Sequence, residues 1–325
     1  MGLREKNDLM SDEGHTLTSL SEAPDHLFVA KKRMGKEAEA VVRPSLTYWQ
    51  DAWNRLRKNK LAMTGLVVLI ILILLAIFGP IISLHSATKQ VFTDQNLPPS
   101  KTYWFGTDAL GRDMFARTWY GARISLFVGF MAAFIDLFIG VIYGGISGYK
   151  GGKVDSVMMR IVEILYGLPY LLMVILLLVV MGPGLSTIIL ALTVTGWVGM
   201  ARIVRGQVLQ IKNYEFVLAS KTFGTKTMKI IRKNLLPNTM GTIIVQMTLT
   251  IPSAIFSEAF LSFLGLGIQP PYASWGMMAN DGLSAILTGF WWELFFPAFF
   301  ISLTMYAFNV LGDGLQDALD PKLRR

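Results

Sequence analysis

Six long apolar runs, separated by shorter polar segments, dominate the chain. Leu61–Leu84 is nearly all Leu, Ile, Val and Ala. As a helix it is long enough for a hydrocarbon core of about 30 Å. The other runs are Ile124–Ser147, Met158–Met181 with Pro169 inside, Leu185–Met200, Met240–Leu266 with Pro252, and Ile286–Leu311 with Pro297. They predict six transmembrane helices in an all-α integral membrane protein. Ser86–Tyr120, the glycine-rich turn Gly148–Lys153, the tight turn Pro183–Gly184 and the Trp- and Pro-rich Gly267–Leu283 read as connectors. Ahead of the first run, Leu46, Trp49, Trp53 and Leu56 share one helical face beside Arg55, Arg57, Lys58 and Lys60. That pattern suits a helix lying among lipid headgroups, or equally the fringe of the first span.

One polar interruption, Asn213–Asn238, is punctuated like a folded element. Asn213 is placed to cap a helix whose first turn holds Glu215, at the positive end of the dipole. Phe216, Ala219 and Phe223 recur at helical spacing as one apolar edge, and Gly224 supplies the left-handed residue that ends a helix. A second short helix follows, with Met228, Ile231 and Leu235 on one side and Lys229, Arg232 and Lys233 on the other; Pro237 is expected to stop it. Such caps predict a docking element for another protein.

Hydrophobic residues make up 53% of the chain and charged ones 16%, gathered in runs, which leaves integral membrane proteins as the fitting class. The net charge of +8 comes from Lys and Arg placed between the runs, as topology requires, so it does not call for nucleic acid. With the N-terminus inside, the cytoplasmic side receives the basic run before the first span, Lys150, Lys153, Arg160, the segment Arg202–Lys233, and Lys322, Arg324 and Arg325. The outer side receives Lys89, Lys101, Arg112 and Arg117. Residues 1–45 are polar and mixed in charge, and are expected to form a disordered cytoplasmic tail. The absence of cysteine excludes disulfides and thiolate chemistry, and His15, His26 and His85 are scattered, with no spacing suited to metal. No ATP site is expected: Gly148–Val154 lacks the first glycine of a P-loop and ends in Val where Ser or Thr must hold magnesium. Energy for any work must come from elsewhere.

Ionisable residues within spans raise a functional question by default. Asp136 falls mid-span and Glu258 toward the outer half of the fifth run, as candidates for the transport path or for polar packing between helices. Arg160 and Glu163, three apart, are expected to pair. Gly140, Gly144, Gly145 and Gly148 predict a close helix contact. The internal prolines fit either a bent helix lining a path or a packing kink.

Three stretches together resemble a known family. Trp104-Phe-Gly106-Thr107-Asp108-Ala-Leu-Gly111-Arg112-Asp113, continuing through Arg117 to Gly121-Ala-Arg123-Ile-Ser-Leu126, is similar to the signature of C-type permease subunits of peptide ATP-binding-cassette importers. The interruption resembles the EAA loop of importer permeases. Aligned on Gly224 and Leu236-Pro237, its three name-giving positions are Leu218, Ala219 and Ser220, so the usual Glu is absent; the expected Ile falls on Asn234. Glu258–Gly267 with Ala273-Ser-Trp-Gly276, and the C-terminal Gly312–Lys322, are likewise typical. The Arg202–Gln210 run and the polar N-terminus look closest to oligopeptide permeases of Gram-positive bacteria.

The resemblance implies a type I ABC importer permease fold with a cytoplasmic coupling helix. It divides the chain into a tail (1–45), an interfacial helix with the first span and outer loop (46–120), the permease domain (121–312) with its coupling loop (204–238), and a C-terminal cytoplasmic tail (313–325). It also implies a homologous B-type permease as heterodimer partner, two cytoplasmic ATPase subunits that carry ATP and Mg, an extracytoplasmic peptide-binding protein, and peptide as cargo. Nickel and oligosaccharides are alternative cargoes of the same family. The chain itself is expected to bind no cofactor and do no covalent chemistry. The ATPase-coupling residues would be Tyr214, Glu215, Phe216, Leu218, Ala219, Ser220, Lys221, Phe223, Gly224, Leu236 and Pro237. A stand-alone secondary transporter would call for inverted repeats and carboxylates sharing one depth, neither of which is evident in the sequence.

Overall fold

The computed structural model describes residues 47–83 and 85–320. The tail expected over 1–45, Leu46, Leu84 and the basic residues Lys322, Arg324 and Arg325 lie outside the described residues. Among those described, the structure is helical, with a single isolated bridge between Thr107 and Asp113.

Helix α1 (Tyr48–Lys58) starts with a capping box: Thr47 Oγ1 accepts from Gln50 N, and Gln50 Oε1 accepts from Thr47 N. The expected apolar face divides. Leu56 and Ala52 turn inward, while Trp49 and Trp53 stay exposed, the arrangement of an interfacial helix. Helix α2 (Lys60–Ile82) follows the first predicted run closely. Pro80, near its end, has no N–H to offer the Ala76 carbonyl. Arg123 does so instead: its Nε donates to Ala76 O and its Nη2 to Ile77 O, both at 2.6 Å.

Helix α3 (Met114–Lys150) begins well before Ile124, inside the segment read as a connector, because Asp113 caps it by accepting from Phe115 N. The third predicted span is not continuous. Helix α4 (Gly152–Gly167) and helix α5 (Tyr170–Met181) meet at 83°. Leu168 is extended because a residue before proline is pushed out of the helical region, and Pro169 breaks the backbone ladder. Among the described residues, five helices are therefore long and apolar enough to cross a membrane, and the bent pair makes a sixth crossing if counted as one.

Helix α6 (Leu185–Ile211) continues past Met200 into the predicted coupling loop. After α7 (Glu215–Thr222), α8 (Thr227–Ile230) runs through one wide π turn, Ile231–Leu235, into α9 (Leu236–Phe263). Pro237 does not stop the helix: it lies in the first turn of α9, directly after the widened turn, where a missing N–H does little harm. The segment Gly267–Leu283, read as polar connector, contains most of α10 (Trp275–Leu287), capped by Ser274, which accepts from Met277 N. Ile286 belongs to that helix, and the last span is α11 (Trp292–Leu319), which extends through the charged stretch predicted as tail.

Helix α3 is the centre of the bundle, packing along α6 and against α9 and α2. The glycine prediction explains how. Gly140, Gly144 and Gly148 form a ridge one turn apart that lies on the α6 backbone, and Gly145 faces Ile231 instead. A Cβ on Gly140 would stand 2.6 Å from Met200 Cβ, one on Gly148 2.9 Å from Arg205 O, and one on Gly144 would clash outright with Ala201 O. Small residues allow this backbone approach where water does not drive helices together. The paired Arg160 and Glu163 lie 3.2 Å apart, exposed on α4.

Three outcomes are expected. Gly144→Leu should lower the thermal unfolding midpoint in detergent or abolish folding, with an overpacking cost of about 1–3 kcal/mol or more. Gly199→Ala, with open space at its Cβ, should leave the midpoint no lower. Arg123→Gln should destabilise the protein, but much less in a Pro80→Ala background, where an N–H replaces the guanidinium. Additive losses across that double-mutant cycle would show the Arg123 bonds to be incidental.

Candidate functional site

The predicted docking element is a short helix held on a rigid base. Tyr214, rather than Asn213, is the capping residue of α7, and its side chain makes no cap. The reason is that α6 runs to Ile211, and Tyr214 N bonds Ile211 O at 3.1 Å, which uses up Asn213 in the turn. Glu215 holds its predicted place in the first turn. The C-terminal end is as expected: Gly224 has φ +70°, its N–H reaches Lys221 O at 3.0 Å, and Thr225 N reaches Ser220 O at 3.2 Å. That is a Schellman closure, which no residue with a Cβ adopts without strain.

Beneath α7, Val217 (1% exposed) joins Val204 and Val208 of α6, Ile230, Ile231 and Leu235 of the α8 segment, and Ile243 of α9. Asn234 Nδ2 donates to Ser220 Oγ at 3.0 Å, fastening α7 to the wide turn. Asn234 is where the family pattern expects Ile, so a hydrogen bond occupies an apolar position. Close by, Arg205 grips Asp155 with two 2.6 Å bonds and Lys212 Nζ donates to Gly148 O at 3.0 Å, so the adjoining ends of α3, α4 and α6 are tied together.

The outward face of α7 is apolar and open. Tyr214, Phe216, Leu218 and Phe223 are exposed, Phe223 at 87%, and Ala219 and Lys221 are exposed beside them. Met228, expected on the inner face, is exposed as well, whereas Ile230 takes the inner place. Lys229, Arg232 and Lys233 point outward as read. Contiguous exposed apolar patches are the usual make-up of a docking surface. Leu236 and Pro237 open α9 and lie outside this face.

At the other end of α3, roughly 55 Å away along its 37 residues at 1.5 Å each, the signature residues form a compact knot. Gly106 (φ +77°) and Gly111 (φ +69°) make turns that fold the chain back on itself, the second pressed against Val91 O. Thr107 Oγ1 donates to Asp94 O and accepts from Leu97 N, and Thr107 O accepts from Trp292 Nε1 at 3.1 Å. Asp108 Oδ1 accepts from the N–H groups of Leu110 and Arg112, both at 2.9 Å, and Oδ2 from Arg112 Nε at 2.6 Å. Asp113 caps α3 and accepts from Ser83 Oγ at 2.7 Å. Tyr103 donates to Asp94 Oδ2 at 2.6 Å, and this bond to a carboxylate pushes its hydroxyl up to about 12.

Arg117 is 1% exposed, an ion buried at the end of the bundle. Its Nε lies 3.4 Å from Asp108 Oδ2 and its Nη2 3.7 Å from Asp281 Oδ2; these are ion-pair distances without hydrogen-bond geometry. Arg112 Nη2 stands 3.9 Å from the same Asp281 oxygen. Asp281 on α10 and Glu293 on α11 were not singled out in the sequence. They sit in segments read as connector and span; Glu293 directly follows the Trp291-Trp292 pair, and Asp281 lies ten residues ahead of it with no signal of its own. Arg123, the last signature residue, stands apart from this knot, on the α2 carbonyls.

The two intramembrane carboxylates are not brought together. They lie on different helices and meet α3 about eleven residues, or roughly 16 Å, apart. Glu258 is fully buried on α9 with both oxygens engaged: Oε2 accepts from Ser125 Oγ of α3 at 3.0 Å and Oε1 from Ser262 Oγ at 2.7 Å. Ser125 Oγ also accepts from Trp275 N, so this carboxylate joins α3, α9 and α10. Asp136 packs directly on Gly196 of α6, and its Oδ1 has no hydrogen-bond partner among the described residues.

Comparison with known proteins places this geometry. The family described as binding-protein-dependent transport system inner membrane component matches residues 137–325, and the N-terminal TM domain of oligopeptide transport permease C matches residues 47–99. The chain is 72% identical over 325 residues, all of both chains, to the dipeptide transport system permease protein DppC of Bacillus subtilis. It is 58% identical over 302 residues to the oligopeptide transport system permease protein OppC of the same organism, covering 93% of this chain and 99% of that one. Among solved structures, the inward-facing MetNI methionine ABC transporter matches with a TM-score of 0.53 at 21% identity, over 64% of this chain and 98% of that one. A likeness at that identity concerns the fold alone, which is that of a type I ABC importer permease. This multi-pass membrane chain belongs to the family of binding-protein-dependent transport system inner membrane components, in the branch of the C-type permeases.

Proposed function

We propose that this chain is the C-type permease subunit of an ATP-driven importer of dipeptides and short oligopeptides. It would form half of a translocation path with a homologous B-type permease in the cell membrane. The substrate class rests on the names of relatives 72% and 58% identical, one a dipeptide and one an oligopeptide permease. An extracytoplasmic binding protein delivers the peptide, and two cytoplasmic ATPase subunits carry ATP and Mg; this chain supplies neither nucleotide site nor catalysis.

The observation that carries the coupling role is α7: a capped helix with a buried base and an exposed aromatic face. In this reading Tyr214, Phe216, Leu218 and Phe223 fill a groove on one ATPase, and docking depends on shape and apolar contact, since Leu218 replaces the usual acid. Lys221, Lys229, Arg232 and Lys233 rim the contact with positive charge. When ATP closes the ATPase pair, α7 moves with its subunit, and Val217 and Asn234 pass the displacement to α6 and α9. The path then opens alternately to the two sides. The end bearing α7, with Lys150, Lys153, Arg202 and the Lys/Arg of the loop, faces the cytoplasm by the positive-inside rule. The Asp108–Arg117 knot faces outward, and both termini lie inside.

The combined change Phe216→Ala and Phe223→Ala should cut peptide-stimulated ATP hydrolysis at least tenfold in the reconstituted importer. Thermal stability should hold, because both rings are exposed, and the binding protein should still capture peptide. Coupling that survived the change would overturn the docking role. Orientation has a clean test because the chain lacks cysteine. In intact cells, Lys101→Cys should react with an impermeant maleimide and Lys229→Cys should react only after permeabilisation.

A further inference from the structure

The open faces of the spans are not all alike. From Val67 to Ile82 every exposed residue of α2 is apolar, and so is every exposed residue of α5, as a face toward lipid requires. Helix α9 differs. Thr242, Gln246, Thr250 and Ser253 recur along it at intervals of four, four and three, so they stand on one side of the helix. None of them is buried, whereas Ile251 and Ile255 on the opposite side enter the core against α2, α3 and α11. Thr250 Oγ1 donates to Gln246 O at 2.9 Å and Ser253 Oγ to Leu249 O at 3.1 Å. Both hydroxyl protons are thus spent within the helix, and the oxygen lone pairs remain as acceptors. Gln246 is half-buried, and its side-chain amide makes no hydrogen bond among the described residues. An amide turned toward hydrocarbon is costly, so this face requires a polar partner. The stripe is neutral throughout, offering the donor and acceptor of one amide and two hydroxyl acceptors. Further along the same side, Phe256 and Phe260 are exposed, with their rings stacked at 6.5 Å.

We infer that this side of α9 is a wall for peptide in transit, on which Gln246 pairs with a backbone amide while Thr250 and Ser253 accept from backbone N–H groups. Phe256 and Phe260 supply a platform for apolar side chains. Neutral donors and acceptors match the N–H and C=O groups that every peptide carries and are indifferent to side-chain charge. A wall of this kind holds the common part of peptides that differ in sequence. It rises from the wide turn at Ile231–Leu235, so a displacement of α7 that reaches α9 also shifts these groups against the peptide. The choice of peptide as occupant rests on the importer reading above; the polar open face itself does not.

The test uses the complete importer in proteoliposomes. The chain has no cysteine, so a single introduced cysteine reports on its own position. Gln246→Cys, Thr250→Cys and Ser253→Cys should react with a charged methanethiosulfonate at least tenfold faster than Ile71→Cys on the apolar face of α2. Saturating Ala-Ala with its binding protein should slow the reaction of Gln246→Cys at least threefold; Ser253→Cys, at an exposed position, serves if Gln246→Cys fails to fold. Gln246→Leu should lower the peptide taken up per ATP hydrolysed at least fivefold, and Gln246→Asn should keep most of it. A merely structural role would lower uptake and hydrolysis together. Reaction no faster than at Ile71, as for a face covered by the partner permease, overturns the proposal. So does reaction that peptide does not slow, or an unchanged ratio in Gln246→Leu. Uptake of Ala-Ala by the unsubstituted importer tests the importer reading alone, so failure of that reading and failure of this wall are separately visible.

Discussion

Along one face of α3, every fourth residue from Gly140 to Gly148 is glycine, and there α3 lies directly on the α6 backbone. In lipid no hydrophobic force pushes helices together, so this steric fit, with the dispersion it allows, supplies the cohesion. The α3–α6 pair then acts as one body. Its knot end carries the Asp108–Arg117 cluster and its other end carries α7, with Arg205, Asp155 and Lys212 locking the helices beside it. Whatever α7 contacts is therefore mechanically joined to groups roughly 55 Å away.

A second constraint, the absence of water as an alternative partner, shapes the rest. Several polar groups within the bundle are met by specific side-chain or backbone donors. Arg123 serves the carbonyls left by Pro80, and three serines and a backbone N–H surround Glu258 or its partners. Glu258 in these terms is a joint between helices, with both oxygens taken. Asp136 differs: its Oδ1 is buried and unserved against Gly196, so the two carboxylates that look alike in the sequence are physically distinct.

The spans were legible because composition alone decides them, and the glycine face because its four-residue spacing survives in one dimension. The ends were not. Helix α3 begins at Asp113 because a side-chain cap outweighs the polar character of the residues that follow. Helix α10 hid in a Trp- and Pro-rich stretch whose apolar positions are filled by tertiary contact with α9 and α11. The bend at Leu168–Pro169 was visible as a proline but its angle was not, since proline inside α9 and α11 leaves those helices whole. The α7 element was readable from its caps and edge, apart from the one-residue shift of its start. Asp281 and Glu293 could not be read, because only folding brings them to Asp108 and Arg117.

The wide turn at Ile231–Leu235 holds one residue more than an α-helical turn would. One residue is about 100° of rotation about a helix axis. Losing it would leave α8 and α9 a regular helix while swinging the basic face of Lys229, Arg232 and Lys233 to a new azimuth and pulling Asn234 from Ser220. Length in this segment is therefore under a constraint that composition does not reveal: substitutions can be absorbed at its exposed positions, but a single-residue deletion changes the direction in which the whole loop faces.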